Sequence, residues 1–580
     1  VSEKGSPEYS RKAEIQEERD RERALPAAGV IERILCGGIE RAVGNMLFHT
    51  APELFAKKLD FILDRIREDY RRAEPSERRS YLTFLAVLTV DMQSLLPLWE
   101  LEPLVTEGRL DAEREEVFGL LTALEKLEGE TAAAVADALL ADAAARRKAE
   151  GSTAGGTAGG EALSAVVGQL AVEVADGSIR RAAVARFRGD SSTELGNDYA
   201  VFLKHMMRLG GSFVTTNPVL VKMAWDLEEE RWDRRADEII ADAWPKGRPA
   251  SLLAGPRTEL DAAIGRVCSL MTMSVVEENC RLLRDIYLAT QGREGYVSLQ
   301  VNPTNHGDDR DMIREARQLY GGLRERLGGV PNVVFKLPAT GAGLVAAEQL
   351  TSEGIGVTVT VSFSVFQAME FARVLARGGA PVCYIALMNG RMAFPVRDEL
   401  AELGVEGGAE AARWAGVEVA RKTHRLLYDL PEKGGLGIDP NRVKLLIASL
   451  RIYDDWIPDV SELWGCQVIT FFPNVRRKYD DRERGFRADA VYSETPAEVL
   501  QVLLESEIFR QAWWMPGDAE ETRPRRPLSL APEDAEALLE WPPVAQTLGQ
   551  FVDQHREMGR KVESRMRAAA SRDDAGDAGP

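Results

Sequence analysis

A chain of 580 residues, 45% hydrophobic and 28% charged, has the balance of an ordinary globular protein and the length for more than one domain. Its formal net charge of −19 opposes nucleic acid and anionic membranes as partners, yet leaves room for a small phosphorylated ligand held by a few arginines. No stretch reaches the ~18 to 20 apolar residues of a membrane span, and the charged start of the chain is not a secretory signal.

The five cysteines (Cys36, Cys268, Cys280, Cys383, Cys466) never fall in C-x-x-C spacing. That argues against a disulfide framework or a zinc site and for a reducing, cytoplasmic setting. His49 and His306 have no metal-ligand partners at suitable spacing, so no metal site is expected.

Residues 1–25 are charged and poor in apolar groups, which predicts a disordered tail. Residues 26–150 read as a helical accessory domain, suited to forming a homo-oligomer. In Leu54–Tyr70, Leu54, Phe55, Leu59, Phe61, Ile62, Ile66 and Tyr70 recur at helical spacing on one stripe. The run from Tyr81 is more uniformly apolar and predicts a buried helix closing near Pro97. Thr131–Glu150 is a strong helix former by propensity. The Gly/Ala/Thr segment over 151–162 reads as a linker. A barrel domain is expected over 163–570, opening with a helical stretch over 162–187 and ending in C-terminal helices, with a disordered tail over 571–580.

Past residue 190 short β-rich runs alternate with helical stretches, the pattern of a parallel sheet. The runs are Thr193–Asp198, Gly211–Pro218, Tyr296–Pro303, Asn332–Thr340, Val357–Ser364, Pro381–Arg391, Lys444–Arg451 and Cys466–Phe472. Eight such runs predict an α/β fold, a closed (β/α)8 TIM barrel with an N-terminal all-helical extension.

Function in such a barrel sits at the C-terminal strand ends. The polar residues there are Asp198, Thr216, Asn217, Gln300, Asn302, Lys336, Thr358, Thr360, Asn389, Arg391, Ser449 and Arg451. Lys336 interrupts an apolar strand, where an ammonium is costly unless paired or neutral. Desolvation would make it a nucleophile toward carbonyls; the alternative is a lysine that snorkels to the rim or pairs with a carboxylate. Arg391 and Arg451 end later strands and suit phosphate, with Ser449 as a further donor, or else form surface salt bridges. The turn at Thr340–Leu350 imitates a dinucleotide-binding glycine loop but has Ala346 at the third glycine position.

Taken together, the segments GSFVTTNPVLVKMA, VVFKLPATGAGLVAAEQLTSEGIGVTVTVSFS, CYIALMNGR and LLIASLR resemble the transaldolase family in order and spacing, over residues of about 190–480. The resemblance implies Lys336 as a Schiff-base lysine and Thr360 as holder of a catalytic water. Thr216 and Asn217 would lie on the substrate side, with Asn217 binding a substrate hydroxyl. Arg391, Ser449 and Arg451 would bind phosphate, and Asp198 falls near the family's first-strand aspartate. Transaldolases proper carry glutamate, asparagine, serine and phenylalanine where this chain has Gln300, Thr358, Ala386 and Met388. Glutamine and alanine at these positions are similar to the fructose-6-phosphate aldolase branch. A glutamine orients water but takes no proton, and such transfer is worth ~10²- to 10⁴-fold in rate.

The resemblance therefore implies an enzyme that forms a lysine Schiff base with a ketose phosphate, cleaves or transfers a three-carbon dihydroxyacetone unit, and needs no metal or organic cofactor. The alternatives are an aldolase-type relative acting on an unusual sugar, or a non-catalytic barrel serving as a binding or assembly module.

Overall fold

The computed structural model describes residues 7–94, 109–151 and 160–577. Its centre is a closed barrel of eight parallel strands joined in sequence order. They are β1 (Glu194–Asn197), β2 (Gly211–Thr215), β3 (Tyr296–Gln300), β4 (Val333–Pro338), β5 (Val357–Ser362), β6 (Cys383–Leu387), β7 (Val443–Ile447) and β8 (Val468–Phe471). β8 pairs back onto β1 and closes the sheet. Every strand residue is buried, because helices cover the outside and side chains fill the inside. That explains why the strands read as nearly continuous apolar runs. Each strand overlaps its expected run. Arg391 and Arg451, however, do not end strands: Arg391 lies in the first turn of helix Asn389–Glu402, and Arg451 in the loop beyond β7.

In-register pairing places Gln300 opposite Lys336 and Lys336 opposite Thr358. The three therefore share the sheet face turned into the barrel. A register shift between Val359 and Ser362 bends the end of β5, with Val361 at φ 55. This left-handed conformation is unusual for a β-branched residue. Gln367 secures it: its amide donates to the Val361 and Ala339 carbonyls while its oxygen accepts from Phe363 N and Ser364 Oγ.

The helical layer has an elaboration between β2 and β3, where Pro218–Leu227, Glu229–Ala243 and Arg248–Ala254 precede the long helix Arg257–Ala289. The C-terminal helix Pro542–Asp577 packs on this layer through Met558, Val562 and Met566. It reaches from the neighbourhood of β5, where Trp541 meets Phe363 edge-on, to Asp233 and Asp237, which pair with Arg565. The expected disordered tail over 571–580 is helical as far as Asp577.

The charged N-terminus also departs from expectation. The expectation of disorder over 1–25 falls partly on residues 1–6, outside the described residues; beyond them helix Pro7–Arg23 runs along the outside of the barrel. It inserts a single apolar side chain, Ile15, into a cluster with Tyr287 and Tyr296. Charge holds the rest: Arg11 donates to the Glu353 carbonyl, Glu14 pairs with Arg324, and Glu18 pairs with buried Arg284.

In the helical block, Pro52–Asp69 buries Phe55, Leu59, Ile62, Leu63 and Ile66. Leu54 and Phe61 leave the expected stripe, at 55% and 51% exposed. The expected closure of the Tyr81 helix at Pro97 lies outside the described residues; the helix itself spans Pro75–Gln93 and is buried from Tyr81 to Met92, apart from Thr83. Most of the expected linker, 152–159, also lies outside them. Helix Leu163–Glu173, assigned by sequence to the barrel domain, packs instead on Pro75–Gln93 and Gly129–Ala149. One apolar core runs without a break from Val30 to Phe551. No helix among the described residues is long and apolar enough to cross a membrane.

Candidate active site

At the C-terminal mouth of the barrel a cavity of about 400 Å³ is lined by Asp198, Asn217, Lys336, Thr360, Met388, Arg391, Ser449 and Arg451, with an apolar wall that includes Leu220, Met223, Phe472 and Val475. Seven of the twelve polar residues expected at the strand ends thus line one space. Thr216, Gln300, Asn302, Thr358 and Asn389 do not line it. Thr216 acts from behind: its hydroxyl donates to the Ser298 carbonyl, and its own carbonyl accepts from Lys336 Nζ at 3.4 Å. Gln300 and Thr358 flank Lys336 on the neighbouring strands.

Lys336 is 4% exposed and has no carboxylate partner among the described residues. Burial lowers its pKa to about 8; the Asp198 charge opposes this and the Arg391 charge adds to it. An appreciable fraction is therefore unprotonated near neutrality. Gln300 Oε1, Thr358 Oγ1 and Arg391 Nε around it are shut off from solvent with no hydrogen-bond partner. Buried polar atoms are rarely left so, and these leave hydrogen-bonding capacity unused beside the lysine.

Each remaining side chain has a local cause for its position. Asn217 caps helix Pro218–Leu227, accepting from Leu220 N at 3.0 Å, so its amide N–H groups stay free for the cavity. Asp198 Oδ1 accepts from Thr215 Oγ1 at 2.6 Å. Thr360 Oγ1 reaches only Met388 Sδ, at 3.8 Å.

Arg391, at the start of its helix, and Arg451, in the loop after β7, come together at Gly390, where any Cβ would collide with the Ser449 carbonyl and the Arg451 side chain. Ser449 sits at φ 60, a left-handed conformation. The Arg451 backbone N–H donates to buried Asp459 at 2.9 Å. Burial pushes that carboxyl up to about 7, against the Arg451 N–H and charge. Neither guanidinium forms a salt bridge among the described residues. Arg391 donates to Gln550 Oε1 at 2.6 Å and lies over the Phe551 ring, and Arg451 lies over Phe394. Burial, reinforced by Arg451 and opposed by Asp198, lowers Arg391 to about 10. Two cations so close without a counter-ion make a ready seat for a dianion.

The glycine turn after β4 serves packing. Thr340 Oγ1 accepts from Gly343 N, a Cβ on Gly343 would collide with the Pro338 carbonyl, and the Leu530 carbonyl closes over Gly341. Among the described residues one carboxylate group has metal-ligand spacing, Asp60, Glu113 and Glu116, and it lies in the helical block. Sequence reasoning missed Asn474, Gln550 and Phe551. Asn474 lies three residues beyond β8, and inspection of that strand end would have found it. Gln550 is separated from Arg391 by 159 positions on a helix with no motif.

Fold and site define an α/β barrel built around a buried lysine and a pair of uncompensated arginines. The transaldolase/fructose-6-phosphate aldolase family model matches residues 202–512, more than half of the chain. The chain is 27% identical to the transaldolase of Neisseria meningitidis over 287 residues, 48% of this chain and 75% of that protein. It is 34% identical to transaldolase 2 of Nostoc sp. over 152 residues, 26% of this chain and 34% of that one. It is 36% identical to transaldolase 1 of Streptomyces avermitilis over 157 residues, 27% and 35% of the two chains. This chain belongs to the transaldolase/fructose-6-phosphate aldolase family, and its function is of the transaldolase type. Asp198 lies just ahead of the matched segment, and the whole N-terminal block lies outside it.

Proposed function

We propose that the protein forms a Schiff base between Lys336 and the ketone of a phosphorylated ketose, and cleaves or transfers its three-carbon dihydroxyacetone unit. The observation that carries this reading is the meeting of a buried lysine, its pKa lowered to about 8, with two unpaired arginines in one cavity. Lys336 Nζ adds to the carbonyl carbon, and loss of water leaves a protonated imine. The carboxylate of Asp198 takes the proton of the substrate hydroxyl two carbons away from that carbon. The bond between the carbon bearing that hydroxyl and the carbon next to the imine breaks, its electrons pass to the imine as an enamine, and the hydroxyl-bearing carbon leaves as an aldehyde. The enamine then attacks an acceptor aldehyde or is protonated and hydrolysed. Arg391, Arg451 and Ser449 hold the phosphate, using remote binding energy to fix the reacting carbons. Thr360 and Gln300 orient the water of hydrolysis; because glutamine takes no proton, proton transfer falls to Asp198. This division resembles the fructose-6-phosphate aldolase branch and favours a slow or simple cleavage over efficient transfer.

Borohydride trapping with intact-mass readout tests the reading, using fructose 6-phosphate, sedoheptulose 7-phosphate and dihydroxyacetone. A covalent mass increase in the wild type, absent from Lys336→Ala, is expected. No adduct with any of the three, nor with a broader carbonyl panel, would favour a barrel that binds without turnover.

A further inference from the structure

A second cavity, of about 760 Å³, opens at the other end of the barrel, around the starts of β1, β7 and β8. It shares no lining residue with the lysine cavity. A buried pair, Lys444 with Glu194 at 2.6 Å, floors it. This end of such barrels ordinarily serves packing, yet here polar atoms are left unused. Glu294 Oε2, His424 Nδ1 and Gln467 Oε1 all belong to lining residues, are shut off from solvent and lack partners. The other half of each group is engaged: Glu294 Oε1 accepts from Arg186, and Gln467 Nε2 lies 3.3 Å from His424 Nε2.

The polarity of these three atoms follows from that geometry. Gln467 Nε2 donates to His424 Nε2, so the imidazole proton sits on Nδ1, in the cavity wall just behind its accessible surface. Burial lowers the His424 pKa to about 4, which keeps the ring neutral. One donor therefore lies in that wall beside two acceptors. An anion does not match the two oxygens, and a cation does not match the imidazole N–H. A row of hydroxyl groups, each donating and accepting, matches all three. The nearby charges cancel in the pairs Arg186–Glu294 and Lys444–Glu194.

Two features at the rim complete the pattern. Tyr492 is 55% exposed and stands edge-on to His424, with ring centroids 5.1 Å apart. Its face is free for the C–H face of a sugar ring. Arg293 donates through Nε to the Thr290 carbonyl and forms no salt bridge among the described residues, leaving its fork for a phosphate. We propose that the N-terminal mouth of the barrel is a second carbohydrate site, taking a monosaccharide or its phosphate ester independently of Lys336.

Calorimetric titration of the full chain tests this, with fructose, ribose and glucose and their 6-, 5- and 6-phosphates as probes. The location is read from variants. Binding of at least one probe persists in Arg391→Gln/Arg451→Gln, where the other cavity has lost both arginines. In that background Tyr492→Ala, an exposed position, weakens it about tenfold, the loss expected for a desolvated contact. Arg293→Ala weakens the phosphate ester alone if the phosphate is bound, and neither form if the free sugar is the ligand. Absence of binding by every probe, or binding abolished by the Arg391/Arg451 change, or binding indifferent to Tyr492→Ala would each overturn the proposal and leave the cavity to solvent. Absence of a Lys336 adduct would leave it standing.

Discussion

Lys336 owes its reactivity to three separate influences, and they can be measured apart. Burial is the largest and lowers its pKa to about 8; Asp198 raises it and Arg391 lowers it. With dihydroxyacetone as probe, which has no phosphate to confound the arginines, the trapping rate is expected to rise with pH and level off above about 8. Arg391→Gln removes a cation and moves the midpoint up; Asp198→Asn removes an anion and moves it down. Midpoints that stay put in both variants would show that burial alone sets the nucleophile. The lysine was legible in the sequence because an ammonium inside VVFKLPA needs an explanation. Arg391 and Arg451 were legible by residue type and spacing, though not by position, since both lie past the strands, one on a helix start and one on a loop, where Gly390 lets them approach. Thr216 was legible as a site residue but not in its role, because only the fold shows its carbonyl, rather than its hydroxyl, turned to Lys336. Gln550 and Phe551 were not legible, because a contact across 159 positions leaves no local trace.

At the scale of elements, what the sequence reveals depends on what holds an element down. The strands are held by burial on both faces, and burial writes itself into the sequence as apolar runs. Helix Pro7–Arg23 is held by ion pairs to residues far along the chain, so its sequence looks like that of a solvated tail. The same cause blurs helix Pro52–Asp69, whose exposed Leu54 and Phe61 carry the letters of a core stripe without its burial. Arg284 is the test of the N-terminal helix. Its guanidinium is buried and pairs with Glu18, which approaches from that helix. Replacing Glu18 by alanine leaves a buried charge without its counter-ion, held by the Val330 carbonyl and Asn332, a loss that typically costs about 3 kcal/mol or more. Denaturant unfolding of Glu18→Ala is expected to show a destabilisation of that size, against little effect for Glu17→Ala, whose partner Arg21 is exposed on the same helix. Equal, small effects would mean the helix rests on the barrel without supporting it.

For the whole molecule, composition places a boundary at the Gly/Ala/Thr segment near 151–162, but the core does not divide there. Helix Leu163–Glu173 follows that segment and still packs on the helices before it. The seam between block and barrel is both apolar and charged. Asp91 of the block pairs with Arg208 beside β2 at 2.7 Å, and Asp285 of the long helix takes Arg41 at 2.6 Å and His49 at 3.0 Å. All of these except Arg41 are buried. A composition shift reports where the chain is free to bend, whereas a domain boundary requires that few contacts cross it; here the two do not coincide. A fragment of residues 188–580 contains the whole barrel and the entire family match, so a modular reading expects it to fold and react by itself. The seam argues otherwise, because the fragment loses the ion-pair partners of Arg208, Arg284 and Asp285 and uncovers the surface of the long helix Arg257–Ala289 that met helix Ile39–Phe48. Such a fragment is expected to be insoluble or molten, and to recover when residues 1–187 are supplied as a second chain. A soluble fragment 188–580 that melts cooperatively at the temperature of the full chain would make the block an appendage, and would return the barrel to the independence its sequence suggests.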